Sequence, residues 1–282
     1  MPSVVIGNRE MNYLDIGEGF PLLFGHSYLW DSRMWGPQIE LLSQYFRCIV
    51  PDLWSHGASE PLTEGDLSID QLAEDHHQLM QHLGIDRYSV LGISVGAMWA
   101  ARLTMKYPAE VASLTMIGSS LSEEAPERAE DYFELLNIVK QMNEVPPAVI
   151  DAVVKIFFCP ETQERHPALV ETFRFDLMFL LPEQIQGIVA MGEQIFRRES
   201  LLDQAAEIRC PTLILAGEND MSRPVSDSAA IHEQINGSQF AIIERAGHML
   251  TLEQADEVNR LLVKFLTAID GVRLPPGEQI LV

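Results

Sequence analysis

The sequence predicts a doubly wound α/β fold on a mostly parallel sheet, interrupted by an all-helical insert. Three observations carry that expectation. Short apolar runs alternate with helical patterns along residues 1–120 and again along 207–282, as strand–helix–strand units do. The central runs, such as Leu213-Ile214-Leu215-Ala216, are apolar on consecutive residues, which suits strands covered on both faces. Residues 121–206 keep a helical period and offer no convincing strand. The chain therefore divides into a core, 1–120 with 207–282, and a helical cap, 121–206.

Taken in order, Ser3–Ile6 and Met11–Ile16 read as an edge hairpin turning at Gly7-Asn8. The expected inner strands are Pro21–His26, Phe46–Leu53, Tyr88–Ser94, Val111–Gly118, Pro211–Glu218 and Phe240–Glu244. Ile69, Leu72, His76, Leu79, Met80 and Leu83 share a helical face, with Ser68 as cap and Gly84 as stop. Val95–Lys106 and Leu252–Thr267 are two further helices. In the insert, Pro126, Pro147, Pro167 and Pro182 sit where first helical turns begin. Asn236-Gly237 reads as a turn.

Gly92-Ile93-Ser94-Val95-Gly96 is the sharpest local signal. Between a strand and a helix, G-x-S-x-G makes a tight turn that lifts the serine clear of the sheet. A serine hydroxyl is a weak nucleophile and needs a base held by a third group. His248 follows the run Phe240–Glu244, and Asp220 follows Pro211–Ala216. Both loops open at the sheet edge where Ser94 stands. This assigns Ser94 as nucleophile, His248 as general base and Asp220 as the orienting acid. An oxyanion hole needs two backbone N–H groups, and Val95, directly after the nucleophile, supplies one.

From about Met11 to Leu266 the chain resembles the α/β-hydrolase superfamily. Ser94 falls on the nucleophile elbow, Asp220 on the acid after the seventh strand and His248 on the histidine after the eighth. Asp52-Leu-Trp-Ser-His-Gly57 is similar to the family's loop after its fourth strand. The resemblance implies that the second oxyanion N–H comes from the loop after Pro21–Gly25. Kept in register, that donor is Tyr28, although His26-Ser27-Tyr28 carries serine where the family often has glycine. The insert resembles a lid.

Composition excludes several other classes. The chain carries 41 acidic and 19 basic residues, a net charge of −22. Such a surface repels phosphates and anionic head groups, so no nucleic-acid or membrane partner is expected. No apolar run approaches the ~20 residues that span a bilayer, and Met1–Glu10 does not read as a signal peptide, so a cytoplasmic location is expected. Cys48, Cys159 and Cys210 are too sparse for a disulfide framework. Adjacent His76 and His77 point about 100° apart on a helix and cannot share a metal. His76 is expected to be a buried helix residue and His56 to brace its turn. No metal-ligand spacing or cofactor fingerprint is present, so neither cofactor nor metal is expected.

The expected activity is hydrolysis of small, largely neutral carboxylic esters through an acyl-enzyme on Ser94. A lactonase resembling the enol-lactonases of aromatic catabolism and a C–C bond hydrolase are the alternatives. A small-molecule receptor retaining the triad is the alternative from another class. Serine at position 94 argues against dehalogenases and epoxide hydrolases, whose resemblance would place aspartate there. A carboxylate-bearing lactone would need a cation, for which the insert offers Lys155, Arg165, Arg174, Arg197 and Arg198.

Overall fold

The computed structural model describes residues 1–62 and 67–272. Residues 273–282, the end of the expected 207–282 core segment, lie outside the described residues. The described strands are β1 (Ser3–Ile6), β2 (Arg9–Ile16), β3 (Phe20–Gly25), β4 (Phe46–Pro51), β5 (Tyr88–Ile93), β6 (Val111–Ile117), β7 (Thr212–Gly217) and β8 (Gln239–Ile243). They form one sheet in the order β1-β2-β4-β3-β5-β6-β7-β8. β1 and β2 pair antiparallel, as does β2 with β4, and all later pairings are parallel. The hairpin turns at Gly7-Asn8 with φ of 57° and 77°, the left-handed pair that matches strand twist.

Helices α1 (Gly36–Leu42), α2 (Ile69–His82), α3 (Val95–Lys106), α9 (Val225–Gln234), α10 (Leu250–Glu253) and α11 (Ala255–Leu266) accompany the sheet. Between β6 and β7 come α4 (Pro126–Met142), α5 (Pro147–Phe157), α6 (Pro160–Arg165), α7 (Pro167–Met178) and α8 (Pro182–Phe196). Each of these five begins on a proline, whose missing N–H costs nothing in a first turn. Ser68 caps α2 by accepting the Gln71 N–H at 3.2 Å. No described helix is long and apolar enough to cross a membrane.

The consecutive apolar runs have a direct explanation in the packing. Leu23, Val90 and Ile214 join one core with Leu72 and Met80 of α2 and Ala97 of α3. Their neighbours Leu22, Leu91, Leu213 and Leu215 join a second core with Ile39 of α1 and Leu262 and Phe265 of α11. Successive side chains point to opposite faces, so a strand buried on both must be apolar throughout.

The structure departs from the sequence expectation at four helices. α1, α6 and α9 are unforeseen, and the expected Leu252–Thr267 helix breaks at Gln254, with φ −135° and ψ 53°. α6 has only six residues, and α9 buries only Ser228 and Ile231. Packing on neighbouring elements, rather than an amphipathic stripe, holds such short helices.

Helix α3 meets the sheet backbone to backbone. A Cβ on Gly92 would overlap the Gly96 backbone, and one on Gly96 would overlap the Gly25 carbonyl. A Cβ on Gly25 would stand 2.9 Å from Gly96 Cα. These three glycines let α3 start directly against β3 and β5.

Buried neutral histidines lock the neighbouring loops. His26 Nδ1 lies 2.8 Å from the Ser27 carbonyl and Nε2 accepts the Leu53 N–H at 2.8 Å. His56 Nδ1 lies 2.8 Å from the Trp54 carbonyl, so His56 braces its turn as expected. Its Nε2 also accepts the Leu29 N–H at 3.2 Å, which ties the β4 loop to the β3 loop. His76 is buried, bonds the Leu72 carbonyl and stacks on Trp99 at 3.9 Å. Burial pushes all three imidazoles down to about 4.

Two predictions follow from this packing. Gly96→Ala destabilises the fold by about 1–3 kcal/mol through overpacking, whereas Gly7→Ala, with open space but φ +57°, pays only the left-handed cost of roughly 1–2 kcal/mol. Urea unfolding measures both, and only Gly96→Ala should also disturb the Ser94 turn. The histidines set an acid limit. Unfolded imidazoles titrate near 6.5, so stability from keeping these three neutral is fully present above ~6.5 and is lost as pH falls toward about 4. The melting temperature should fall through that window, and a flat profile from pH 7 to 4.5 would contradict it.

Candidate active site

Ser94 stands between the last residue of β5 and the first of α3 with φ 56° and ψ −121°. That is a costly conformation for a non-glycine residue, and the surroundings hold it. Its N–H donates to the Ile117 carbonyl at 2.9 Å, and its carbonyl accepts the Ser119 hydroxyl at 2.8 Å. The α3 N-terminus lies directly behind the residue, so the Val95 N–H and the helix dipole favour negative charge there.

Asp220 follows β7, and its carboxylate is fully committed. Oδ1 accepts the Ser222 and Arg223 N–H groups, both at 2.8 Å, and Oδ2 lies 2.8 Å from His248 Nδ1. The two backbone donors fix the carboxylate plane, and the histidine completes its partners. Glu218, the nearby carboxylate, instead accepts the Arg245 N–H from an exposed position.

His248 sits in the loop between β8 and α10. Its N–H and that of Met249 both donate to the Phe157 carbonyl, at 3.0 and 3.2 Å, and the Phe157 ring stands edge-on to the imidazole at 5.1 Å. One residue earlier, the Gly247 N–H donates to Glu253 at 2.9 Å. The other Glu253 oxygen accepts the Cys159 N–H at 3.0 Å and the Thr162 hydroxyl at 2.6 Å. Burial raises the Glu253 carboxyl above its ordinary value. Thus the C-terminal end of α5 is built into the histidine loop. With Nδ1 on Asp220, His248 Nε2 is buried and takes no hydrogen-bond partner among the described residues.

Ser94 and His248 line one cavity, part of it open to solvent. The remaining wall is mostly aliphatic and aromatic, including Leu136, Val149, Phe157, Ile188 and Phe196 from the helices between β6 and β7. Tyr28 and Leu29 line it from the β3 loop. The Tyr28 hydroxyl donates to the Ile188 carbonyl at 2.7 Å, which joins that loop to α8. Leu29 has φ +68°, so the chain turns sharply just after Tyr28.

The structure thus brings Ser94, His248, Asp220, Tyr28 and Val95 to one end of the sheet. It does not bring there the insert cations that a carboxylate-bearing lactone would need. Lys155, Arg165 and Arg197 are exposed, and Arg174 pairs with Asp151 outside this cavity. The Arg198 side chain is nearly buried but pairs with Glu124. Among the described residues, the arginine that does line the cavity is Arg223, three residues after Asp220 and outside the insert. Phe157, Glu253 and Glu124 were also beyond sequence reasoning, because only the fold brings them to these loops. A charged residue so close to the acid was the one signal available for Arg223. Among the described residues, no group of three or more His, Cys, Asp or Glu side chains could hold a metal ion.

Known proteins of similar sequence and structure share this arrangement of strands and helices. A thermophilic esterase from Thermogutta terrifontis is 28% identical, with TM-score 0.84 over 94% of this chain and 97% of that one. The enol-lactonase from Burkholderia xenovorans LB400 is 26% identical, with TM-score 0.85 over 94% of this chain and 100% of that one. RutD of Escherichia coli O7:K1 (strain IAI39 / ExPEC), named as a candidate carbamate hydrolase, is 25% identical over 235 residues, 83% of this chain and 86% of its own length. The family model described as alpha/beta hydrolase fold matches residues 20–255. The chain belongs to the α/β-hydrolase fold family.

Proposed function

We propose that this hydrolase is a serine esterase that cleaves small, largely neutral carboxylic esters. One observation carries the reading: Ser94 and a His248 held by Asp220 open into a single cavity whose other walls are almost wholly apolar. An ester's acyl or alcohol group gains about 25 cal/mol for each Å² of apolar surface it buries there. The helices between β6 and β7 serve as the lid over that cavity.

In this reading the Ser94 hydroxyl attacks the ester carbonyl carbon while His248 Nε2 takes its proton. Asp220 keeps the other ring proton on Nδ1, which leaves the Nε2 lone pair available as the base. Catalytic hydrogen bonds commonly tighten only when substrate is seated. The carbonyl oxygen becomes an alkoxide held by the Val95 and Tyr28 N–H groups. The tetrahedral species collapses, the C–O bond to the alcohol breaks, and His248 returns its proton to the leaving oxygen. Water, deprotonated by the same Nε2, then releases the acid from Ser94.

Arg223 bears on the lactonase alternative. A carboxylate-bearing lactone would need a free cation, and Arg223 is already held two-pronged by Glu124, at 3.0 and 2.8 Å. The −22 net charge also slows an anion's approach at low salt.

Ser94→Ala should abolish ester turnover without unfolding the chain, and Asp220→Asn should lower kcat by ~10⁴. Normal turnover by either variant, measured against p-nitrophenyl acetate, would remove that residue from the mechanism. Neutral aryl esters should exceed carboxylate-bearing enol-lactones in kcat/KM. A preference of ~100-fold for the anionic lactone, worth about 2.7 kcal/mol, would reverse the assignment.

A further inference from the structure

We propose that Glu124 is a positioning residue for Asp220, acting through Arg223. This rests on the reading of Asp220 as the acid that orients His248. Glu124 lies between β6 and α4, and its side chain is only 1% exposed. Three guanidinium groups converge on it. Arg223 Nη1 and Nη2 meet Oε1 and Oε2 at 3.0 and 2.8 Å. Arg198, just past α8, donates to Oε2 at 3.0 Å. Arg128 of α4 donates to Oε1 at 2.9 Å and reaches Asp227 of α9 at 3.3 Å.

The route from this cluster to the chemistry is short. The Arg223 N–H is one of the two donors on Asp220 Oδ1, and the Ser222 N–H is the other. Arg223 Nη1 also donates to the Ser222 carbonyl at 3.0 Å, which closes the turn over its own guanidinium. Clamping the guanidinium therefore fixes the two backbone donors that set the Asp220 carboxylate plane. That plane fixes the direction of the Oδ2–Nδ1 bond and so the aim of His248 Nε2.

The charges support a clamp that stays ionised. Burial would raise the Glu124 carboxyl, but Arg223 and Arg198 outweigh it and hold the group below its ordinary value. Burial and the neighbouring Arg223 push Arg198 down to about 10. Two almost fully buried guanidinium groups thus share a single buried carboxylate. Removing that carboxylate leaves both without their anion, so Arg223 is free to leave its place.

The test is a double-mutant cycle on the full chain with p-nitrophenyl acetate, recording kcat, KM and melting temperature. Glu124→Gln should lower kcat roughly 10- to 100-fold, as misplacement of a catalytic group does, with KM within about twofold. In an Asp220→Asn background the same change should add almost nothing, because its effect passes through that carboxylate. A Glu124→Gln variant that melts earlier but keeps wild-type kcat overturns the proposal. So does a kcat loss that multiplies fully with that of Asp220→Asn. If Asp220→Asn alone keeps near-normal kcat, the reading of the acid has failed, and the cycle identifies that separately. Should Glu124→Gln not fold, Glu124→Leu with Arg198→Met and Arg223→Met removes the almost fully buried charges together, a change that buried ion clusters tolerate, and leaves half-buried Arg128 with Asp227. That triple variant should fold and remain slow, and wild-type kcat in it overturns the proposal.

Discussion

Helix α3 can begin directly against the sheet because Gly25, Gly92 and Gly96 place backbone on backbone with no side chain between. Much else depends on that approach. It forces the chain to reverse within one residue, and Ser94 takes the positive φ that the reversal demands. It aims the first N–H groups of α3 at the space above the serine. It also sets the β3 loop beside the serine turn, since β3 is the strand against which Gly96 closes. A residue with a Cβ at any of these positions would lift α3 and lose the serine and its electrostatic setting together.

The loops around this turn are held by polar groups that the hydrophobic pattern does not contain. His26 and His56 accept N–H groups from Leu53 and Leu29, and Asp52 accepts those of Ser32 and Ala58 at 2.7 and 2.9 Å. The Leu53 and Ser32 donors are buried, and leaving either unpaired would cost about 1–3 kcal/mol. The inserted helices are anchored in the same way, at Phe157 and Glu253 on the histidine side and at Glu124 on the aspartate side. The insert is therefore structurally continuous with both loops that carry polar chemistry.

Charge and polarity are divided sharply. The molecule bears a large negative charge, yet the cavity beside Ser94 is nearly all apolar, and the buried ionic cluster at Glu124 is internally paired. A neutral ligand with an apolar group suits such a cavity because it enters without stranding a charge.

The sequence by itself determined the elements whose signals are local. Consecutive apolar runs mark strands buried on both faces, prolines mark first helical turns, and Gly92-Ile93-Ser94-Val95-Gly96 marks a strand-to-helix reversal. Each is written within a dozen residues, so each can be read without a fold. The positions of Asp220 and His248 after strand-like runs were legible for the same reason. Only the tertiary structure decided which cation meets the cavity, because Arg174 and Arg223 look alike until their partners are known. It alone revealed α9, whose sparse apolar pattern forms a helix only against its neighbours. It alone joined Glu124 to Arg223 across 99 residues of sequence and Phe157 to His248 across 91, since such pairings exist only when segments distant in sequence are brought side by side.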